Sequence, residues 1–142
     1  MHWSHVGLNC RDQQATEEFY TRWFGFRRAR VVPVGDTEIV FLRNGDAYLE
    51  LFQADADGTE HPPNTNDGPA AAGAVRHLAF QTDDIDRLLE RMGESADITL
   101  GPLDFGDFIA GWRTAWIRDP DGVVVEVSQG YRDLEPTALS AS

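Results

Sequence analysis

Residues 5–25 read HVGLNCRDQQATEEFYTRWFG, and residues 77–93 read HLAFQTDDIDRLLERMG. Each stretch opens on a histidine, alternates briefly, breaks at polar residues and then takes on helical spacing that ends at a glycine. Over 3–9, Val6 and Leu8 fall on one strand face, and Trp3, His5, Gly7 and Asn9 on the other. Over 75–81, Leu78 and Phe80 share one face, and His77, Ala79 and Gln81 the other. The apolar face of each strand suits packing under a helix, so the histidine looks away from it.

The helices follow the polar breaks. Asp12 is a natural N-cap for a helix over 13–24, whose apolar stripe is Phe19, Tyr20, Trp23 and Phe24. Gly25 ends it. Asp83 and Asp84 open a second helix with the stripe Ile85, Leu88, Leu89 and Met92, and Gly93 ends that one. Strands come next. Residues 38–42 and 47–53 flank the turn Asn44-Gly45-Asp46. Residues 112–117 and 123–129 flank Asp119-Pro120-Asp121-Gly122. The two closing strands, AYLELFQ and VVVEVSQ, align on Glu50 and Glu126.

Each half is therefore strand, helix, then two or three strands. One helix covers one face of each sheet, so two such halves would leave their uncovered faces to line a cleft. The chain reads as a single α+β domain over 1–142: a first module over 1–53, a linker over 54–74 rich in Asp, Gly, Pro, Asn and Ala, a second module over 75–130 and a tail over 131–142. His61 lies in the linker and is expected to be solvated.

Bulk properties narrow the function. At 142 residues the chain can bury a real core, and 42% hydrophobic with 25% charged residues is ordinary for a soluble globule. The net charge of −12 disfavours nucleic acid and anionic membranes. No apolar run approaches the roughly 18 residues of a membrane span. The start, MHWSHVGLN, is not built like a signal peptide, so a cytoplasmic location is expected. The 12 basic residues are all arginine, which excludes lysine chemistry. A single cysteine, Cys10, excludes an internal disulfide or a cysteine-rich zinc site and reads as a small buried residue.

Alternation also says which side chains enter the cleft. Leu49 and Leu51 go under the first helix, leaving Tyr48, Glu50 and Phe52 on the open face. Val125 and Val127 go under the second, leaving Val124, Glu126 and Ser128. Each half thus places one histidine and one glutamate on its open face. A carboxylate among such apolar neighbours is costly to bury unless paired or metal-bound. His5, Glu50, His77 and Glu126 form a mixed N₂O₂ donor set that suits Ni²⁺, Co²⁺, Zn²⁺, Mn²⁺ or Fe²⁺. His2 has the opposite strand parity and is not expected to bind.

The segments HVGLN, FYTRWFGF, YLELF, VRHLAFQTDDID and IRDPDGVVVEV together resemble the glyoxalase/bleomycin-resistance/extradiol-dioxygenase superfamily, the vicinal-oxygen-chelate proteins. The resemblance runs from His5 to Gln129. It implies paired βαβββ modules forming a half-open barrel cleft, with metal ligands on the first and last strand of each module; those positions are His5, Glu50, His77 and Glu126. A set of two His and two Glu is similar to that of bacterial glyoxalase I. Methylmalonyl-CoA epimerases are close, commonly with glutamine at the Glu50 position. The resemblance implies a glyoxalase I-like lyase or an epimerase that transfers a proton next to a carbonyl through a chelated enediolate. Glu126 would be the base and Glu50 its counterpart.

An iron-dependent extradiol-type dioxygenase and an antibiotic-binding resistance protein are the alternatives. The partner is a small-molecule substrate, and a homodimer is expected. Trp3, Phe41, Tyr48, Phe52, Phe105, Phe108, Trp112 and Trp116 are candidates for an apolar substrate pocket; Tyr48, Phe52, Trp112 and Arg113 are the favoured contacts. Arg113, or Arg11, is the candidate for holding a carboxylate or phosphate. The loop over 101–111, GPLDFGDFIAG, is a candidate lid.

Overall fold

A computed structural model of the chain describes residues 1–139. The first repeat forms β1 (Val6–Cys10), α1 (Gln13–Phe24), β2 (Arg27–Val34), β3 (Thr37–Asn44) and β4 (Ala47–Gln53). The second forms β5 (Leu78–Gln81), α2 (Ile85–Met92), β6 (Ile98–Asp104), β7 (Arg113–Arg118) and β8 (Val124–Gln129). A short helix α3, Pro136–Leu139, lies in the segment read as tail, and residues 140–142 of that segment fall outside the described residues.

The two sheets repeat one topology, with strand orders β1-β4-β3-β2 and β5-β8-β7-β6. In each, the first strand runs parallel to the last, and the register places a small residue opposite the glutamate: Gly7 pairs with Glu50, and Ala79 with Glu126. The compact units are Met1–Asn64 with Arg118–Val123, and Thr65–Ile117 with the chain from Val124 onward. Among the described residues, no helix is long and apolar enough to cross a membrane.

Local chemistry explains the helices. Asp12 accepts the Ala15 N–H at 3.2 Å, and Asp84 accepts that of Arg87 at 2.9 Å. Gly25 closes α1 at φ 70°, a left-handed conformation that glycine adopts without steric penalty. The closing strands end in glutamines that serve the helices. Gln53 Oε1 accepts the Gln13 N–H at 3.1 Å, and Gln129 Oε1 accepts the Ile85 N–H at 2.9 Å. The shared final Q of AYLELFQ and VVVEVSQ thus satisfies the first amide of each helix, one of the donors a helix start leaves without a partner.

The strand alternation read from the sequence sets the cores. Leu8, Cys10, Phe19, Tyr20, Phe24, Leu42, Leu49 and Leu51 are buried in the first unit; Ile85, Leu88, Met92, Ile117, Val125 and Val127 are buried in the second. Burial also pushes the Cys10 thiol up to about 11, which leaves it protonated and unreactive at neutral pH. Phe19 and Leu88 are each only 9% exposed. Phe19→Ala and Leu88→Ala are expected to lower stability by about 2–5 kcal/mol, measured by denaturant midpoint. Unchanged midpoints would contradict the assigned helix faces.

Two edge strands escaped the sequence pattern. β2, RRARVVPV, is largely exposed and carries Pro33, and β6, ITLGPLD, contains Gly-Pro. An edge strand with one wet side loses the alternation that marks a half-buried one, and tolerates proline. The segment over 101–111 is part strand and part turn: β6 reaches Asp104, and the Phe105 N–H then donates to the Trp112 carbonyl at 2.8 Å.

The Asp-Pro-Asp-Gly turn between β7 and β8 belongs to the first unit. Asp119 Oδ1 accepts the N–H groups of Asp121 and Val123 at 2.8 and 3.0 Å, and Oδ2 accepts the Tyr20 hydroxyl at 2.8 Å. Asp121 accepts the Arg11 N–H and the Thr16 hydroxyl, each at 2.7 Å. Burial holds the Asp119 carboxyl above the usual range, while the Tyr20 hydroxyl opposes that shift. A folded value above the unfolded one means the associated stability is complete below the unfolded value and is lost as pH rises through the folded one. Tyr20→Phe raises the folded value further. It is expected to cost about 1–3 kcal/mol at neutral pH and distinctly less at acid pH, where Asp119 gains its own proton. Equal costs at both pH values, measured by urea unfolding, would exclude Asp119 as the group that responds.

Candidate metal centre

Both histidines stand one residue before their strands, β1 and β5, and both glutamates sit mid-strand in β4 and β8. In the first unit, His5 Nε2 lies 2.8 Å from Glu50 Oε2, with the two side chains 38% and 17% exposed. His5 Nδ1 lies 2.8 Å from the Ser4 hydroxyl, and the Phe41 ring meets the imidazole edge-on at 5.8 Å. In the second unit, His77 Nε2 lies 2.6 Å from Glu126 Oε2. His77 Nδ1 lies 2.7 Å from the Asp67 carbonyl, and Glu126 Oε1 accepts the Thr114 hydroxyl at 3.0 Å.

The surroundings of His77 state a chemical requirement. A backbone carbonyl only accepts, so Nδ1 carries a proton. A neutral imidazole then presents a lone pair at Nε2, facing a carboxylate oxygen that also only accepts. The contact needs either a proton shared between the two atoms or a metal ion bound by both. Donation of Nδ1–H to a backbone carbonyl, with Nε2 left for the ion, is the arrangement that orients metal-ligating histidines. The donor chemistry therefore fits a divalent metal. Each unit supplies one imidazole and one half-buried carboxylate. The described residues hold these as pairs, not as a cluster of three or more His, Cys, Asp or Glu side chains.

The repeated strand–helix–strands topology agrees with comparison to known proteins. A family model described as the Glyoxalase/Bleomycin resistance protein/Dioxygenase superfamily matches residues 2–127. The chain belongs to this superfamily. It is 28% identical over 126 residues to the uncharacterized protein YwkD of Bacillus subtilis (strain 168), covering 87% of this chain and 92% of that one. It is similar to a glyoxalase family protein from Enterococcus faecalis, with 30% identity, a TM-score of 0.66, and 90% and 97% of the two chains covered. It shares its fold with the FosX fosfomycin resistance protein from Listeria monocytogenes, solved with Mn(II) and 1S,2S-dihydroxypropylphosphonic acid, at TM-score 0.68, 18% identity and 92% of each chain covered.

Around these pairs the superfamily fold distributes the remaining candidates unevenly. Tyr48, Glu50 and Phe52 alternate with the buried Leu49 and Leu51, half-buried on the face of β4 that carries the carboxylate. A Cβ placed on Gly7 would lie 3.4 Å from Phe52 and 3.9 Å from Glu50 Oε2, at ordinary contact distance. Trp112 donates its indole N–H to Ser128 at 3.0 Å and packs on Phe105 at 5.0 Å and Tyr131 at 5.8 Å. Arg113 is held elsewhere: its guanidinium donates twice to Asp86 of α2, at 2.8 and 3.1 Å. On β7 it alternates with Thr114, which meets Glu126, so Arg113 lies on the helix side of the sheet. Arg11 pairs with Glu60 at 3.0 Å. Trp3 and Phe108 are 76% and 79% exposed.

Three residues beside the pairs were not among the sequence candidates: Ser4, Asp67 and Thr114. Thr114 was within reach, since period two along β7 puts it on the face opposite Arg113. Asp67 acts through its backbone carbonyl from an irregular segment, and no side-chain pattern announces that.

Proposed function

We propose that this chain is a divalent-metal enzyme of the glyoxalase type, a lyase or epimerase that transfers a proton at a carbon next to a carbonyl. The observation that carries the reading is the second pair. His77 is held by Asp67 with Nε2 toward Glu126, in a contact that needs a proton or a metal ion between the two atoms. His5, Glu50, His77 and Glu126 would hold the ion, Ni²⁺, Co²⁺, Zn²⁺, Mn²⁺ or Fe²⁺, with one His–Glu pair taken from each repeat, whichever copies of a homodimer supply them. The relative of this fold solved with Mn(II) supports a divalent ion. When bound, the ion supplies Lewis-acid stabilisation of charge developing on two neighbouring substrate oxygens.

The chain's own residues do the rest. Glu126 takes and returns the proton. The Thr114 hydroxyl holds its Oε1, so the carboxylate keeps its direction while Oε2 exchanges partners. The one Thr114 proton is shared with the Val127 carbonyl at 3.1 Å, which ties that hydroxyl to the strand bearing Glu126. Tyr48, Phe52 and Trp112 would line the small-molecule site.

The test is a screen of hemithioacetals, thioesters and catechols with the metal-loaded protein in deuterated water. The expected result is deuterium at the carbon beside the carbonyl, without oxygen uptake. Oxygen consumption with a catechol by the iron form would replace this reading with a dioxygenase. Tight ligand binding that survives metal stripping, without turnover, would replace it with a binding protein.

A further inference from the structure

Two tryptophans of the second unit differ in one respect. The Trp112 indole N–H is satisfied by Ser128. Trp116 is 6% exposed, and among the described residues its Nε1 has no hydrogen-bond partner. A buried donor without an acceptor is rare in native folds, because it forfeits its bond to water and gains none. Phenylalanine would remove that cost, although its smaller ring leaves part of the space unfilled.

The position of the indole suggests where an acceptor arrives. Trp116 and Thr114 are two residues apart on β7 and therefore share a face, with Cα atoms roughly 7 Å apart. Thr114 meets Glu126 on that face, whereas Ala115 and Ile117 point to the other. The Phe105 ring stands edge-on to the Trp116 indole at 6.5 Å and lies against Trp112 at 5.0 Å. The carboxylate face thus has an aromatic flank that includes Trp116, whose unused N–H is buried.

We propose that the Trp116 indole N–H donates to a substrate oxygen other than the two that meet the metal, and that the substrate has a planar conjugated or aromatic body that packs against Phe105. The proposal rests on the metal-enzyme reading for the other end of the substrate. Substrates lacking the third oxygen would leave the donor unpaired, so Trp116 sets specificity.

The test compares zinc-loaded wild type with Trp116→Phe, titrated with 4-nitrocatechol and with catechol. Both probes offer vicinal oxygens, and only the first has further acceptor oxygens across the ring. Trp116→Phe is expected to weaken 4-nitrocatechol by at least about fivefold and catechol by less than about twofold, with zinc content unchanged and the thermal midpoint equal or higher. No loss, equal loss for both probes, or a wild type that binds neither, overturns the proposal. Should the wild type take up no zinc, the metal reading fails separately, and the metal-free titration with 4-nitrocatechol still decides the indole. Should the variant fold poorly, the four tryptophan indole N–H resonances of nitrogen-15-labelled wild type are read instead. One moving downfield with 4-nitrocatechol and not with catechol supports the proposal, and none moving overturns it.

Discussion

Glu126→Gln is expected to fold as the wild type does and to lose at least about 10²-fold in turnover, the usual worth of a general base. The amide keeps one oxygen donor and the shape of the side chain. It still accepts the Thr114 hydroxyl, so β8 has no reason to shift. What it cannot do is take a proton. Glu50→Gln is expected to be milder, since Glu50 needs only to donate an oxygen, and the related epimerases commonly carry glutamine there. Rate and bound metal are to be measured together for both variants. Equal large losses would mean the two carboxylates share the proton transfer and would refute a single base. An iron dioxygenase would show a different split, with Glu126 needed to retain the metal and Glu50 nearly dispensable.

His77→Ala is expected to weaken metal binding by more than about 100-fold, because outer partners of a ligand alone are worth about 10- to 100-fold. The mutation removes the imidazole and also strands the Asp67 carbonyl and Glu126 Oε2, which lose the groups now facing them at 2.7 and 2.6 Å. His5→Ala is expected to have a comparable effect from the other repeat, although Ser4 is a less directive neighbour than a carbonyl, since its hydroxyl can give or take the proton. Competitive titration against a chromophoric chelator measures both. Affinity unchanged in either variant would remove that histidine from the centre.

Much of this was legible before any coordinates, and the reasons are local. The limits of α1 followed from Asp12 and Gly25, whose chemistry acts within one helical turn. That His5 shares a face with Glu50, and His77 with Glu126, followed from strand parity applied twice, because one repeat controls the other. Parity failed where a strand lacks a dry face: β2 is mostly arginine, valine and solvent, and β6 breaks register twice against β7. Trp112, Arg113 and Trp116 stand together as candidates in the sequence, and alternation along β7 alone separates Arg113 from the other two and adds Thr114 to their face. The Asp67 carbonyl was beyond reach, since a backbone acceptor in an irregular segment depends on where the chain passes. The same holds for the Tyr20–Asp119 bond, which joins residues 99 positions apart.

The central claim is that the matched His–Glu pairs exist to hold a metal. Elemental analysis of protein purified without chelators, repeated after incubation with nickel, cobalt, zinc and manganese and removal of excess ion, tests it directly. The expected result is one tightly held divalent ion for each two His–Glu pairs, lost in His77→Ala and in His5→Ala. Less than about 0.1 ion per chain under all these conditions would contradict the claim, since a centre with four correctly placed N and O ligands retains its ion at neutral pH.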